Sequence, residues 1–162
     1  MAYVIKNPEA GYQPIAVTDT TQNHPLGTVV RATDPTYGEG EFIYLQGVAS
    51  TIVGSVVTYT ATYQTALCPT TANLPAAVAF AMSANVAGPN YGWYQISGDT
   101  IAAKTSGLAL ASNVAVGVKT AGLISATSAG VEIQGAMTVA KATTPKTVKL
   151  MINRPHHQGR IT

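Results

Sequence analysis

Alternation of side chains with a period of two is the feature that most limits the folds open to this chain. In "SVVTYTATY", residues 55–63, Val57, Tyr59, Ala61 and Tyr63 alternate with a set that is mostly threonine. Such alternation places one set of side chains in a core and leaves the other in water, as in a half-buried strand. Similar short runs recur between glycine-containing turns at a spacing of roughly ten residues, which is typical of a β-sandwich or barrel.

Two further runs refine this pattern. In "EFIYLQGV", residues 41–48, both faces are apolar, so we expect that strand to be covered on both sides or to lie at a subunit contact. "AAVAFAMSANV", residues 76–86, is rich in alanine, the best helix former. Its large residues nevertheless occupy alternate positions, which predicts a strand rather than a helix; they are Val78, Phe80, Met82 and Val86.

The predicted fold is therefore all-β, in a single β-sandwich or barrel of jelly-roll-like or β-tulip-like form. The first 40 residues differ from the rest because they contain Pro8, Pro14, Pro25 and Pro35. Each proline removes a backbone donor and fixes φ, which disfavours long strands and helices. We expect an extended N-terminal arm over residues 1–40, a β-domain over residues 41–152, and a polar C-terminal tail over residues 153–162.

The alternating positions also predict which side chains form the core. We expect the large residues on the apolar faces of the strands to be mostly buried. They are Phe42, Leu45, Val57, Tyr59, Val78, Phe80, Met82, Trp93, Val116, Val118, Ile133, Val139, Val148 and Leu150.

Charge is scarce and unevenly placed. Charged residues make up 10% of the chain, against about a quarter in typical proteins. Between Glu41 and Glu132 the only charged residues are Asp99, Lys104 and Lys119. A surface so poor in charge suits a protein that is packed against copies of itself or against partners. The net charge of +2 and the absence of a Lys/Arg run argue against nucleic-acid binding.

The sequence also predicts no membrane anchor and no disulfide. No run of about 18 apolar residues occurs, so we expect no membrane span. The N-terminal "MAYVIKNPEAG" lacks the pattern of a signal peptide. The single cysteine, Cys68, excludes an internal disulfide.

No combination of residues in the chain predicts catalysis. Six of the seven carboxylates lie in or beside predicted turns, and none is spaced as an acid–base pair. Cys68 precedes a proline and lacks a helix N-terminus signal, so it is expected to be an unreactive, buried thiol. His156 and His157 are adjacent and would point to opposite faces of an extended chain, which makes chelation poor. We therefore expect no enzyme activity, no cofactor and no metal site.

Two groups of residues are candidates for binding. The turn signals "GPN" and "SGD" bracket Tyr91, Trp93 and Tyr94. This aromatic cluster has two interpretations: an anchor of the core, or a platform on which a sugar stacks. The second group is the set of apolar residues of the arm, which no regular element would bury and which we expect to contact other subunits. They are Tyr3, Val4, Ile5, Tyr12, Ile15 and Val17.

Three stretches of the chain resemble small structural proteins of tailed-bacteriophage virions. The first is "DTTQNHPLGTVVRATDPTYGEGEFIYLQGVAST", residues 19–51, and the second is "AAVAFAMSANVAGPNYGWYQISG", residues 76–98. The third, "LALASNVAVGVKTAGLISATSAGVEIQGAMTVAKA", resembles the Gly/Ala/Thr-rich β modules of phage head decoration, or cement, proteins. The resemblance covers roughly residues 19–140 and carries no residue-level site with it.

The resemblance implies a non-enzymatic protein made in the host cytoplasm that binds the outer surface of a phage head and stabilises the shell. Its implied partners are the major capsid protein and further copies of itself, as a dimer or trimer, with no nucleic acid and no membrane. The alternative function is a virion-attached receptor- or glycan-binding module that uses Tyr91, Trp93 and Tyr94.

Overall fold

A computed structural model describes residues 4–5, 11–142 and 144–159, and within them it contains strands and no α-helix. This confirms the predicted all-β fold. The strands are β1 (Val4–Ile5), β2 (Thr18–Asp19), β3 (Val29–Asp34), β4 (Gly38–Gln46), β5 (Val56–Tyr59), β6 (Thr65–Leu67), β7 (Ala76–Ala81), β8 (Tyr91–Ala103), β9 (Ala115–Thr120), β10 (Leu123–Ala126), β11 (Glu132–Thr138) and β12 (Thr147–His157).

All paired strands are antiparallel and belong to one hydrogen-bonded network. The main path runs β1-β3-β4-β8-β7-β12-β11-β9-β10, while β2 pairs with β8, and β5 pairs with β6 and β7. The long strand β8 joins the two halves of the fold. It pairs with β4 and β7 along its first half and with β12 along its second. The sheet is not closed, and the arrangement is consistent with a β-sandwich-like fold.

The predicted strand is confirmed over Ala76–Ala81, but it ends before Val86, which is exposed. Val78, Phe80 and Met82 are buried, and so are the alanines at positions 79 and 81. β7 pairs with β5 on one side and with β8 and β12 on the other. Small side chains on one face allow close packing on that side, so the alanines reflect a strand packed on both faces rather than a helix.

β4 is likewise covered on both faces, one of the two arrangements expected for this strand. Phe42 and Tyr44 belong to one buried cluster, which includes Trp93. Ile43 and Leu45 belong to another, on the opposite face. A third cluster joins β9 to β12 with residues of β5, β7 and β8.

The core prediction is confirmed at all but two positions. Tyr59 is half-buried, against the edge of one cluster. Val139 is exposed because β11 ends at Thr138, whose side chain is the one that points inward.

The N-terminal arm predicted for residues 1–40 is corrected where the structure describes it. β3 and the beginning of β4 are integral parts of the sheet, so the boundary at residue 41 falls inside a strand. Residues 11–28, which we term the strap, lie across the face of β4 and β8, and Ile15 is buried there with Trp93. The strap is the cover that the second apolar face of β4 requires.

The C-terminal tail is also shorter than predicted. β12 continues to His157 and pairs there with β7 and β11. His157 is fully buried and His156 is exposed, which confirms that the two side chains point to opposite faces. Residues 153–157 therefore belong to the sheet, while residues 160–162 lie outside the described part of the chain.

The predicted turn at residues 97–99 is a bulge within β8 rather than a hairpin. Gly98 has a φ of +97°, and the register of β4 against β8 shifts between Glu41 and Phe42. A Cβ at Gly98 would overlap the backbone oxygen of Glu39. Glycine is needed here both for the left-handed backbone and for the close approach of β4.

Candidate functional site: an uncharged apolar tip

Two loops at one end of the sheet are joined by a pair of backbone hydrogen bonds. Thr51 N–H donates to the Asn85 carbonyl at 3.1 Å, and Asn85 N–H donates to the Thr51 carbonyl at 2.8 Å. Both side chains at this bridge are buried. Since successive side chains of an extended chain point to opposite faces, the residues that flank Thr51 and Asn85 must point to solvent.

The flanking residues form an exposed apolar surface, which we term the apolar tip: Ile52, Val53 and Val86. Their exposed fractions are 53%, 52% and 81%. Ile52 and Val86 each follow one of the two bridged residues, so they lie on adjoining loops. Single exposed apolar residues are normal on a protein surface, but three on adjoining loops are a candidate contact surface.

A tight turn fixes the orientation of Ile52 and Val53. Ser55 N–H donates to the Ile52 carbonyl, and Ile52 N–H donates to Ser55 Oγ, both at 3.0 Å. Gly54 has a φ of +81°, and a Cβ there would lie 2.7 Å from the Ile101 carbonyl oxygen. The turn is therefore held against β8 and presents its apolar side chains on a rigid base.

The loops that carry the apolar tip contain no charged residue. From Phe42 to Gly98 the sequence contains no Asp, Glu, Lys or Arg. A partner that covers these loops would not have to desolvate a charge within them, and removal of an unpaired charge from water is costly. The centres of protein–protein interfaces show the same depletion of charge.

A shallow groove adjoins the apolar tip. It has a volume of about 370 Å³ and is lined by residues 46–49, 64–65 and 88–89. Thr51 Oγ1 donates to the Val48 carbonyl at 2.7 Å, which connects the groove to the loop of the tip. Together the tip and the groove offer a partner an apolar projection and an adjacent recess.

Charged side chains gather instead at the other end of β4. Arg31 contacts Glu41 Oε1 at 3.2 Å, and Arg154 contacts Glu41 Oε2 at 2.8 Å. Arg154 has a φ of +42° and lines a groove of about 400 Å³ with Arg31, Glu39 and Glu41. We term this the charged groove. Its two arginines and two glutamates balance, and both guanidinium groups are mostly exposed, so it has the character of a solvated ionic cluster.

The aromatic cluster predicted from the sequence is an anchor of the core. Trp93 and Tyr94 are buried on opposite faces of β8, and Tyr91 is half-buried. Trp93 Nε1 donates to the Gln13 carbonyl at 2.8 Å, and burial raises the pKa of Tyr94 to about 12. A stacking platform needs an open ring face, so the sugar-binding interpretation is corrected for Trp93 and Tyr94.

The arm residues proposed as an interface are divided by the structure. Ile15 is buried in its own domain, so its assignment to a subunit contact is corrected. Tyr12 is half-buried against the same cluster. Val4, on β1, and Val17 are exposed. Tyr3 lies outside the described residues, and Ile5 is described only as a residue of β1 that pairs with Ala32.

Cys68 and the histidines show no catalytic arrangement. Cys68 is fully buried, and burial raises its pKa to about 12, so the reactive thiolate is not formed near neutral pH. In the described residues, no three His, Cys, Asp or Glu side chains are grouped so that they could hold a metal ion. Over the same ranges, no helix has the length and apolar character to cross a membrane.

Sequence reasoning missed the apolar tip and the charged groove. The sequence did carry one signal for the tip, the absence of charge between Glu41 and Asp99. No local pattern distinguishes Ile52 or Val86 from a core residue, because their outward direction depends on a bridge between residues 34 positions apart, 51 and 85. Arg154 and Glu41 are separated by 113 positions.

No protein-family model matches the chain, and no curated protein matches it.

Proposed function

We propose that this chain is a non-enzymatic decoration protein of a tailed-bacteriophage head, which binds the outer surface of the capsid and stabilises the shell. Its partners are the major capsid protein and further copies of itself. The observation that carries the proposal is the apolar tip, an exposed apolar surface within an uncharged stretch of 57 residues, Phe42 to Gly98. The resemblance of residues 19–140 to virion proteins supplies the identity of the partner.

The energetics suit a protein present in many copies. Complete burial of one valine or isoleucine side chain contributes roughly 1.5–3 kcal/mol. Three partly exposed side chains therefore supply only a modest affinity per copy, once the cost of association is subtracted. Linked copies on a repeating lattice increase the effective affinity without new contacts. Oligomerisation is thus the expected companion of a small docking surface.

The proposal is tested with heads that lack the protein. Purified full-length protein is added, and two quantities are measured: the bound copies per capsid subunit, and the temperature at which the heads release DNA. The wild-type protein should bind in a fixed ratio and raise that temperature. Val86→Asp and Ile52→Asp should each weaken binding at least about tenfold, because each places a carboxylate in a surface that must dehydrate.

Leu74→Asp is the matched control. Leu74 is 44% exposed and lies in the loop before β7, whereas Val86 follows the other end of that strand. The same chemical change at Leu74 should leave binding unaltered. If both tip variants bind as well as the wild-type protein, the apolar tip is not the docking surface. If the wild-type protein neither binds nor stabilises the heads, the decoration function is wrong.

A further inference from the structure

Within the strap, His24 is bonded to Gln13, one of several residues that attach the strap to the sheet. Gln13 N–H donates to His24 Nε2 at 3.0 Å, so that this nitrogen carries no proton. The His24 ring lies 5.1 Å from Tyr12, 5.0 Å from Tyr44 and 5.6 Å from Trp93, measured between ring centroids. The hydrogen bond from Gln13 thus requires a neutral imidazole at His24.

The same Gln13 connects the strap to three residues on two strands, β4 and β8. Its Oε1 accepts from Tyr44 Oη at 3.0 Å, and its Nε2 donates to the Tyr91 carbonyl at 3.2 Å. Its backbone carbonyl accepts from Trp93 Nε1 at 2.8 Å. Gln13 is buried, and buried polar networks lose much of their stability when one member is removed. A change at His24 therefore acts directly on a residue that joins the strap to β4 and β8.

We propose that His24 is a proton-operated latch, whose protonation loosens residues 11–28 from the sheet. A proton on Nε2 replaces an acceptor by a donor, directly opposite the Gln13 N–H. The hydrogen bond between them cannot form, and two like-oriented N–H groups face each other inside the strap. An unsatisfied donor that is removed from water destabilises the arrangement that contains it.

The aromatic neighbours of His24 and its burial have opposite effects on its pKa. Tyr12, Tyr44 and Trp93 surround the ring, and an aromatic face attracts a cation. The one carboxylate on the strap is Asp19, which accepts hydrogen bonds from Thr21 N–H at 2.9 Å and from Asn23 Nδ2 at 3.0 Å. Those hydrogen bonds lower the pKa of Asp19. Despite these neighbours, burial lowers the pKa of His24 from 6.5, because desolvation disfavours the charged ring.

The sign of the pH dependence follows from that direction. The loosened strap binds a proton with an ordinary pKa of 6.5, and the docked strap binds it less readily. The contribution of His24 to docking is complete above pH 6.5. It is lost as the pH falls from 6.5 through the lower pKa of the docked form. The strap also contacts the loop of the apolar tip, where Thr18 Oγ1 donates to the Ala84 carbonyl at 3.3 Å.

The latch is tested on the isolated full-length protein, so the result does not depend on the proposed capsid function. NMR follows the His24 ring shift and the exchange protection of the Gln13 amide from pH 8 to pH 4.5, while fluorescence follows Trp93. Protection of Gln13, corrected for the intrinsic exchange rate, should fall roughly three- to tenfold in step with His24 protonation. The Trp93 emission should change over the same range.

His24→Gln supplies a neutral acceptor at the same place and should remove the pH dependence of both signals. His156→Gln is the control, since His156 is exposed and pairs with Gln134 on β11, and it should titrate like the wild-type protein. If His24 titrates while Gln13 protection and Trp93 emission stay constant, the latch is disproved. If His24→Gln does not fold, the wild-type titration alone decides the question by the same criterion.

Discussion

The two ends of β4 lead to surfaces of opposite character. At the Gly38 end, Glu41 holds Arg31 and Arg154 in the charged groove. At the Gln46 end, the chain enters the loops of the apolar tip, where no charged residue occurs in the sequence. The charged groove, which is stabilised by water, therefore lies at the opposite end of β4 from the apolar tip, from which a partner can displace water.

The physical basis of the difference is desolvation. Exposed ion pairs contribute little to stability, because water already solvates both partners. If a partner protein buried these charges, the desolvation penalty would exceed the attraction between them. Exposed apolar side chains gain whenever a partner covers them. The apolar tip is thus suited to a macromolecular contact, whereas the charged groove favours contact with water. Four substitutions separate these roles, in order of decreasing effect on stability.

Gly98→Ala should have the largest effect and disrupt the charged end. The left-handed backbone costs alanine about 1–2 kcal/mol, and overpacking against the backbone of Glu39 adds about 1–3 kcal/mol. We expect a loss of roughly 2–5 kcal/mol in the free energy of unfolding, measured by urea denaturation. Gly107→Ala is the control: Gly107 also has a positive φ, but no atom lies within 4 Å of its added Cβ. Equal losses in the two variants would contradict the importance of the contact with Glu39.

Gly47→Ala should have the next largest effect, at the uncharged end. The added Cβ would lie 2.5 Å from Tyr94 Oη and 2.9 Å from Asn85 Nδ2. Moving these buried groups should cost about 1–3 kcal/mol, or roughly 2–4 °C of melting temperature for each kcal/mol. Because Asn85 supports Val86, the variant should also weaken binding to heads. Unchanged stability would show that the site can relax without loss.

Glu41→Gln should have a small effect that depends on salt. It removes the carboxylate shared by Arg31 and Arg154 and leaves two guanidinium groups close together. Since all these groups reach solvent, we expect a loss of about 0.5–1 kcal/mol at low ionic strength. The loss should diminish at 1 M salt, where the Debye length is about 3 Å. A loss that is the same at both ionic strengths would indicate that packing, rather than charge, supports this end.

Val86→Asp should have the smallest effect on stability, within about 0.5 kcal/mol of the wild-type protein, as for other exposed positions. Its effect on binding to heads should be large. This combination distinguishes the apolar tip from a structural element. A marked decrease in the melting temperature of the isolated protein would mean that Val86 supports the fold. A binding defect in this variant would then not identify Val86 as a contact residue.

The strands were predictable because their signal is local. Alternation identified β5 as far as Tyr59 and β7 as far as Ala81, and it explained why β4 needs a cover on both faces. The cover itself was not predictable. Residues 11–28 have no regular period, and they are fixed to the sheet by contacts such as that of Gln13 with Trp93, which lie 80 positions apart. The sequence alone therefore predicts an extended arm for this proline-containing segment, although its Ile15 completes the core.

The bulge at Gly98 and the two surfaces could not be predicted for a related reason. "SGD" has the composition of a turn, but whether a strand turns or bulges depends on the neighbours that pair with it, here β4 and β12. The exposure of Ile52 and Val86 depends in the same way on the pairing of two distant loops. Composition predicted where charge would be absent, and only the folded arrangement shows which apolar residues face outward.

The burial of Cys68 makes its thiol a native probe of local unfolding. Its thiol lies in the cluster that joins β5 to β9 and β10, and its pKa of about 12 leaves almost no thiolate at neutral pH. A thiol reagent can therefore react only in molecules that have opened this part of the domain. Because Cys68 is the sole cysteine, the labelling rate of the unmodified protein, free or on a particle, reports a single opening event without any engineered probe.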